Sequence, residues 1–231
     1  MKKSGLCVHI QQVFLLFTIL FCSMDAYSQS QLIRNLDKGK SQRIVVYGTS
    51  LSARPDGWPA MLSDSLNAEY PGKVEVINSA KGAMWSTWGV ENLQKRVLDK
   101  QPDAVLIEFG MNDAYLPYRT SLKASRLNLE YMIDRIQEMY PTCEIILQVM
   151  NMPIREHKEQ RPLVDDYYDM YRKVARKRKL LLIDHYEYWL PILEKGEQEF
   201  LKWAPDGIHP EEPAWQTYTV PYILKSLKKG R

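Results

Sequence analysis

The chain has 231 residues, 45% of them hydrophobic and 26% charged, with a formal net charge of +3. This composition excludes a disordered or collagen-like chain, and the length suits one globular domain. Lys and Arg are interspersed with Asp and Glu, so electrostatics gives no reason to expect a nucleic-acid partner.

Lys2 and Lys3 precede an apolar run at 13–22 (VFLLFTILFC), and Ala26-Tyr27-Ser28 follows as a small-x-small cleavage site. The pattern predicts a secretory signal peptide over 1–28 and an exported product, periplasmic or extracellular. The run is about half the ~20 apolar residues that a membrane span needs, so no stable membrane insertion is expected after cleavage. Lipid attachment at Cys22 calls for a small preceding residue, and Phe21 is not one. Cys7 and Cys22 leave with the signal, and Cys143 then has no partner for an intrachain disulfide. Residues 29–42 are polar and read as a loose N-terminal lead.

From residue 43 onward, short aliphatic runs alternate with segments of helical period. The runs, at 44–47, 74–77, 104–107, 145–149 and 180–183, lack the polar alternation of half-exposed strands. That absence predicts a five-stranded parallel sheet between helices, a three-layer α/β sandwich. A first helix starts near Gly57 and turns Trp58, Met61, Leu62 and Leu66 toward the sheet, and another spans about 87–98. Leu129, Met132, Ile133, Ile136 and Met139 form a second stripe, and Leu163, Tyr167, Met170, Tyr171 and Val174 a third after Pro162. A last helix follows Pro213 and ends near Lys228. With no repeat and no Pro/Gly/Ser-rich linker, residues 43–231 read as one domain.

Ligands of such sheets bind beyond the carboxyl ends of the strands, so chemistry is expected in the residues just after each run. After the first run stands Gly48-Thr49-Ser50-Leu51-Ser52, a serine in a strand-to-helix turn where backbone N–H groups can meet an oxyanion. By itself it is equally a capping serine. Gly82 follows the second run, and Gly110-Met111-Asn112-Asp113 the third. Either is compatible with an ordinary turn, or with N–H donors aimed at a substrate oxygen. At the far end, Asp206-Gly207-Ile208-His209-Pro210 spaces an aspartate to orient an imidazole, though the same segment suits a solvated turn. Outside the signal only His157 and His185 remain as further histidines, neither at metal-ligand spacing to His209, so no metal is expected. Asp184-His185 and the basic stretch 172–179 read as structural, the latter as the solvated end of a helix.

In this order the four blocks resemble those of the SGNH hydrolases, also called the GDSL esterase/lipase family, over residues 43–210. The resemblance implies the flavodoxin-like SGNH fold. It also implies Ser50 as nucleophile, His209 as general base, Asp206 as its orienting acid, and Ser50 N–H, Gly82 N–H and Asn112 as oxyanion donors, with no cofactor. Thr49 departs from it, since the name-giving motif has Asp there. An exported member looks like the carbohydrate O-acetyl esterases, with a small-molecule or glycan ester as substrate. A lysophospholipase or acyl-thioesterase is the alternative, and a non-catalytic glycan-binding relative a third. Trp85, Trp88 and Trp203 lie near the blocks and are candidates for contact with substrate, or for core packing. Oligomeric state is not legible.

Overall fold

The computed structural model describes residues 29–229, so the proposed signal peptide with Cys22 and residues 230–231 lie outside the described part. All five apolar runs are strands: β1 (Gln42–Gly48), β2 (Val74–Asn78), β3 (Ala104–Glu108), β4 (Glu144–Val149) and β5 (Leu181–Asp184). They form one parallel sheet in the order β2-β1-β3-β4-β5. Alternate residues feed two cores. Ile44, Val46, Ala104, Leu106, Ile146, Leu181 and Ile183 point to one face, while Val45, Tyr47, Val105, Ile107, Ile145, Leu147 and Val149 point to the other. Both sides of the central strands are therefore dry, which is why their sequences carry no polar alternation.

Helices cover each face. α1 (Gln31–Asp37) and α2 (Trp58–Glu69) pack with a C-terminal helix on the first face. α3 (Ser86–Arg96), the short α4 (Gly110–Asp113) and α5 (Leu122–Met139) cover the second, followed by the short α6 (Glu156–Glu159) and by α7 (Val164–Arg178). α8 (His185–Glu194) and α9 (Glu197–Leu201) build a third, smaller cluster around Trp189 and Phe200. Two stripe residues fall outside the core: Met139 ends α5 and Leu163 caps α7, and both are exposed. The segment after Pro213 is not one regular helix. α10 (Glu212–Ala214) runs into a wide π turn at Trp215–Thr219 before α11 (Val220–Lys229). Pro221 has no N–H to return to the preceding turn, and the wide turn falls there.

The N-terminal lead is corrected by the structure. Residues 31–37 are helical, with Ser30 as N-cap accepting the Ile33 N–H, and Leu32, Ile33 and Leu36 are buried against the core of the first face. Ser30 N–H also donates to Leu227 O at 3.0 Å, and Leu32 N–H to Glu144 at 2.7 Å. Three apolar residues in a seven-residue helix give too short a pattern to register as a periodicity. In the basic stretch, Arg172 is bonded to Asp184 and Asp169, and Arg178 to Asp134. His185 is buried beside Gln148, and burial alone drives its pKa down to about 3.

No helix among the described residues is long and apolar enough to cross a membrane. Because α1 fills a core, Leu32→Ala and Leu36→Ala are each expected to lower unfolding free energy by about 2–5 kcal/mol in denaturant titrations. Losses under about 0.5 kcal/mol, the size of an ordinary surface substitution, would show that α1 contributes nothing to the fold.

Candidate active site

The strand order reverses around β1, whose neighbours are β2 on one side and β3 on the other. The loops leaving these three strands therefore diverge and leave a crevice at their carboxyl ends. β1 ends at Gly48, where a Cβ would stand 2.2 Å from Glu108 Oε1, so only glycine lets the two strand ends close up. The chain then turns sharply, with Ser52 N–H bonding Thr49 O at 3.1 Å, and Ser50 rides the outside of the turn. From α2, the Trp58 indole N–H donates to Leu51 O at 3.0 Å and pins the turn from behind.

Ser50 Oγ lies 2.9 Å from His209 Nε2, and His209 Nδ1 lies 2.6 Å from Asp206 Oδ2. Asp206 Oδ1 also accepts the N–H groups of Ile208 at 3.0 Å and His209 at 2.8 Å. Burial pushes the Asp206 carboxyl upward, but the backbone and ring donors of His209, with Ile208 N–H, outweigh it and hold the pKa below the usual range. Gly207 has φ +87°, and the loop around it is fastened to the segment after β4: Ile154 N–H bonds Gly207 O and the Asn151 amide donates to Ile208 O, both at 2.9 Å.

Gly82 lies beside the serine, since a Cβ on it would stand 3.9 Å from Ser50 Cβ. Asn112 belongs to α4, the first turn after β3, and its amide donates to Met84 O at 2.9 Å. The amide has a second N–H to offer. Asp113 ties this turn down by accepting Ser86 N–H at 2.8 Å and the Ser125 hydroxyl at 2.5 Å, and burial pushes its carboxyl up to about 6. The loops therefore bring Ser50, Gly82, Asp206 and His209 together, with Asn112 one hydrogen bond from the Gly82 loop.

The tryptophans separate. Trp85 stacks on Tyr118 with centroids 4.5 Å apart, and Tyr118 OH donates to Ala83 O, so this pair is tied to the loop that carries Gly82. Trp88 packs against Tyr47 with Arg96 over its ring, and Trp203 packs against Tyr218 in the third cluster. Both are half-buried in those contacts.

Glu108 is the residue that sequence reading missed. Fully buried at the end of β3, its carboxylate accepts Thr49 N–H at 2.6 Å, Thr49 Oγ1 at 3.0 and 3.1 Å, and Ser52 Oγ at 2.9 Å. Thr49 thus contributes a donor, whereas an aspartate there would set a second carboxylate against the first. A lone acid closing an otherwise apolar strand (AVLIE) was the available signal. Burial raises its pKa to about 7, although the bonds from Thr49 and Ser52 pull the other way. Among the described residues no three His, Cys, Asp or Glu side chains converge in a metal-holding group.

Residues 45–214 match the profile of the GDSL-like Lipase/Acylhydrolase family. An arylesterase of Vibrio mimicus is 28% identical over 222 residues, covering 93% of this chain and 98% of that protein. Thioesterase 1/protease 1/lysophospholipase L1 of Escherichia coli K12 is 24% identical over 194 residues, covering 80% and 83%. An acetylxylan esterase structure from Geobacillus stearothermophilus superposes with a TM-score of 0.70 at 20% identity, covering 83% of this chain and 97% of that one.

A carboxyl whose folded pKa lies above its unfolded value stabilises the fold below the unfolded value and loses that contribution as pH rises through the folded one. Between about pH 4.5 and 7, wild type should therefore lose roughly 1–3 kcal/mol relative to Glu108→Gln. A stability difference between the two proteins that stays constant from pH 4.5 to 8 would contradict the raised pKa.

Proposed function

From membership of the GDSL-like lipase/acylhydrolase family, to which this chain belongs, we propose an exported serine esterase that removes O-acetyl groups from carbohydrate. The coarser statement, an ester hydrolase, follows from the family and from the arylesterase relative. The observation that carries the mechanism is the Ser50–His209–Asp206 chain, with contacts of 2.9 and 2.6 Å. Ser50 Oγ attacks the ester carbonyl while His209 Nε2 takes its proton, and Asp206 holds the ring with Nδ1–H toward it. The oxyanion then faces Ser50 N–H, Gly82 N–H and the free N–H of Asn112. His209 returns the proton to the departing alcohol, and water repeats the sequence on the acyl-enzyme.

One feature supports acetyl over a long acyl chain. The loop that carries Gly82 is tied to the stacked Trp85–Tyr118 pair, with Tyr115 edge-on to Tyr118 at 5.0 Å and the Arg161 guanidinium 4.5 Å from the Tyr115 ring. These are rigid, polar-tipped groups rather than an aliphatic groove. Export rests on residues 1–28, and Ser30, two residues past Ser28, is already engaged as the cap of α1. The thioesterase/lysophospholipase relative keeps a long-chain activity as the competing reading.

Ser50→Ala and His209→Ala are each expected to reduce p-nitrophenyl acetate hydrolysis to the small residue left by the oxyanion donors alone, with the double variant no worse. Asn112→Ala should lose ~10²–10³-fold in kcat, the usual size for one oxyanion donor. Wild-type turnover by a folded Ser50→Ala protein would defeat the assignment.

Across p-nitrophenyl esters of increasing length, a buried methylene gains only ~0.8 kcal/mol, while forcing one into a closed pocket costs about 1–3 kcal/mol. We expect kcat/KM to fall at least tenfold from acetyl to butyryl and to be negligible at octanoyl. A steady rise to eight carbons would favour the lysophospholipase-like reading.

A further inference from the structure

Beside Ser50 and His209 lies a cleft of about 340 Å³, walled by Arg54, Pro210, Glu211 and Trp215. Its place relative to the reacting atoms decides what it can hold. In the tetrahedral adduct on Ser50 Oγ, the negative oxygen turns to the donors of Gly82 and Asn112. The departing oxygen must instead reach His209 Nε2, which protonates it. Substituents on one tetrahedral carbon diverge, so the alcohol extends past His209, away from Gly82 and from the Trp85–Tyr118 pair. The cleft lies on that side.

Its charges are unevenly matched. The Arg54 guanidinium lies 5.0 Å over the Trp215 ring and is fixed by Asp56 at 2.9 Å. The hydrogen bond with Asp56, and after it the charges of Asp56, Glu211 and Glu212, make Arg54 hold its proton more firmly than usual. Asp56 thus meets the Arg54 charge from outside the cleft, while Glu211 and Asp206 both line it, so the cleft's balance of side-chain charge is negative. An alcohol bearing phosphate or carboxylate is repelled there. A neutral sugar is not, because its hydroxyls both donate and accept: the spare N–H groups of Arg54 and the Glu211 carboxylate offer complementary partners.

We propose that this cleft is the leaving-alcohol subsite, and that Arg54 and Glu211 make it select an uncharged polyhydroxylated alcohol, a neutral glycan, while excluding phosphorylated or carboxylated ones. The proposal rests on the O-deacetylation reading above and narrows it. A lysophospholipid, whose phosphate stands a few bonds from its ester, would bring that phosphate into this cleft.

The test compares kcat/KM of the mature chain, Arg54→Ala and Glu211→Lys on three acetyl esters: partially acetylated neutral xylo-oligosaccharide, partially acetylated oligogalacturonide and p-nitrophenyl acetate. Wild type should prefer the neutral glycan over the anionic one by tenfold or more. Arg54→Ala should lower the ratio of neutral-glycan to p-nitrophenyl acetate hydrolysis by tenfold or more, mainly through KM. Glu211→Lys should raise the ratio of anionic to neutral glycan at least tenfold. Equal hydrolysis of both glycans by wild type, or ratios that neither substitution moves, would overturn the subsite while leaving O-deacetylation standing. Hydrolysis of p-nitrophenyl acetate with neither glycan touched would overturn the O-deacetylation reading and this proposal with it.

Discussion

The site is organised around one buried carboxylate. Glu108 closes β3 and takes donors from both ends of the Thr49–Ser52 turn, so the neighbouring strand holds the conformation that presents Ser50 together with the turn's own Ser52–Thr49 bond. The arrangement requires Gly48, because any side chain there would collide with the carboxylate. It also suits a threonine at 49, whose backbone N–H and hydroxyl both point at Glu108. A buried acid with three donors around it is strongly directional, and its absence would leave those donors unpaired in a dry interior. The departure of Thr49 from the family motif therefore has a local explanation: its hydroxyl serves the carboxylate from β3.

Around that fixed point the sheet provides the rest by topology. Because the strand order reverses at β1, the loops after β1, β2 and β3 approach one crevice from two directions, bringing Ser50, Gly82 and the Asn112 turn to one rim. The fourth contribution arrives from the distant 206–209 loop, and it is the segment after β4 that receives it, through Asn151 and Ile154. Two dry cores hold these strand ends rigidly, so small side-chain distances at the rim are set by packing many residues away.

The strands and the main helices were legible because burial on both faces writes continuous apolar runs and helical stripes into the sequence, and three of the four chemical blocks because each sits just after such a run. What escaped was written in shorter or longer-range terms. α1 has one turn's worth of apolar spacing, too little to distinguish from a polar lead, and it is recognised only by the core that it fills. Glu108 reads as a strand's polar end until β1 is placed beside β3. The tryptophans are the reverse case, since proximity in sequence to a motif says nothing about direction. Trp85 precedes α3 and faces Tyr118, whereas Trp88, three residues on, has turned toward Tyr47 and the core.

The His209–Asp206 pair shows how a site can be precise near the surface. Its side chains are 42% and 49% exposed, and at that exposure the attraction between imidazolium and carboxylate is screened and modest. Coulomb energy is thus not what keeps the ring in place. The carboxylate is instead held by the N–H groups of Ile208 and His209, in a turn that Gly207 can make because of its positive φ, and the turn's own carbonyls are bonded to Ile154 and Asn151. The geometry is therefore carried by backbone hydrogen bonds, which salt screens little. The exposure that weakens the ion pair leaves His209 open to water and, in the proposed mechanism, to the departing alcohol it would protonate.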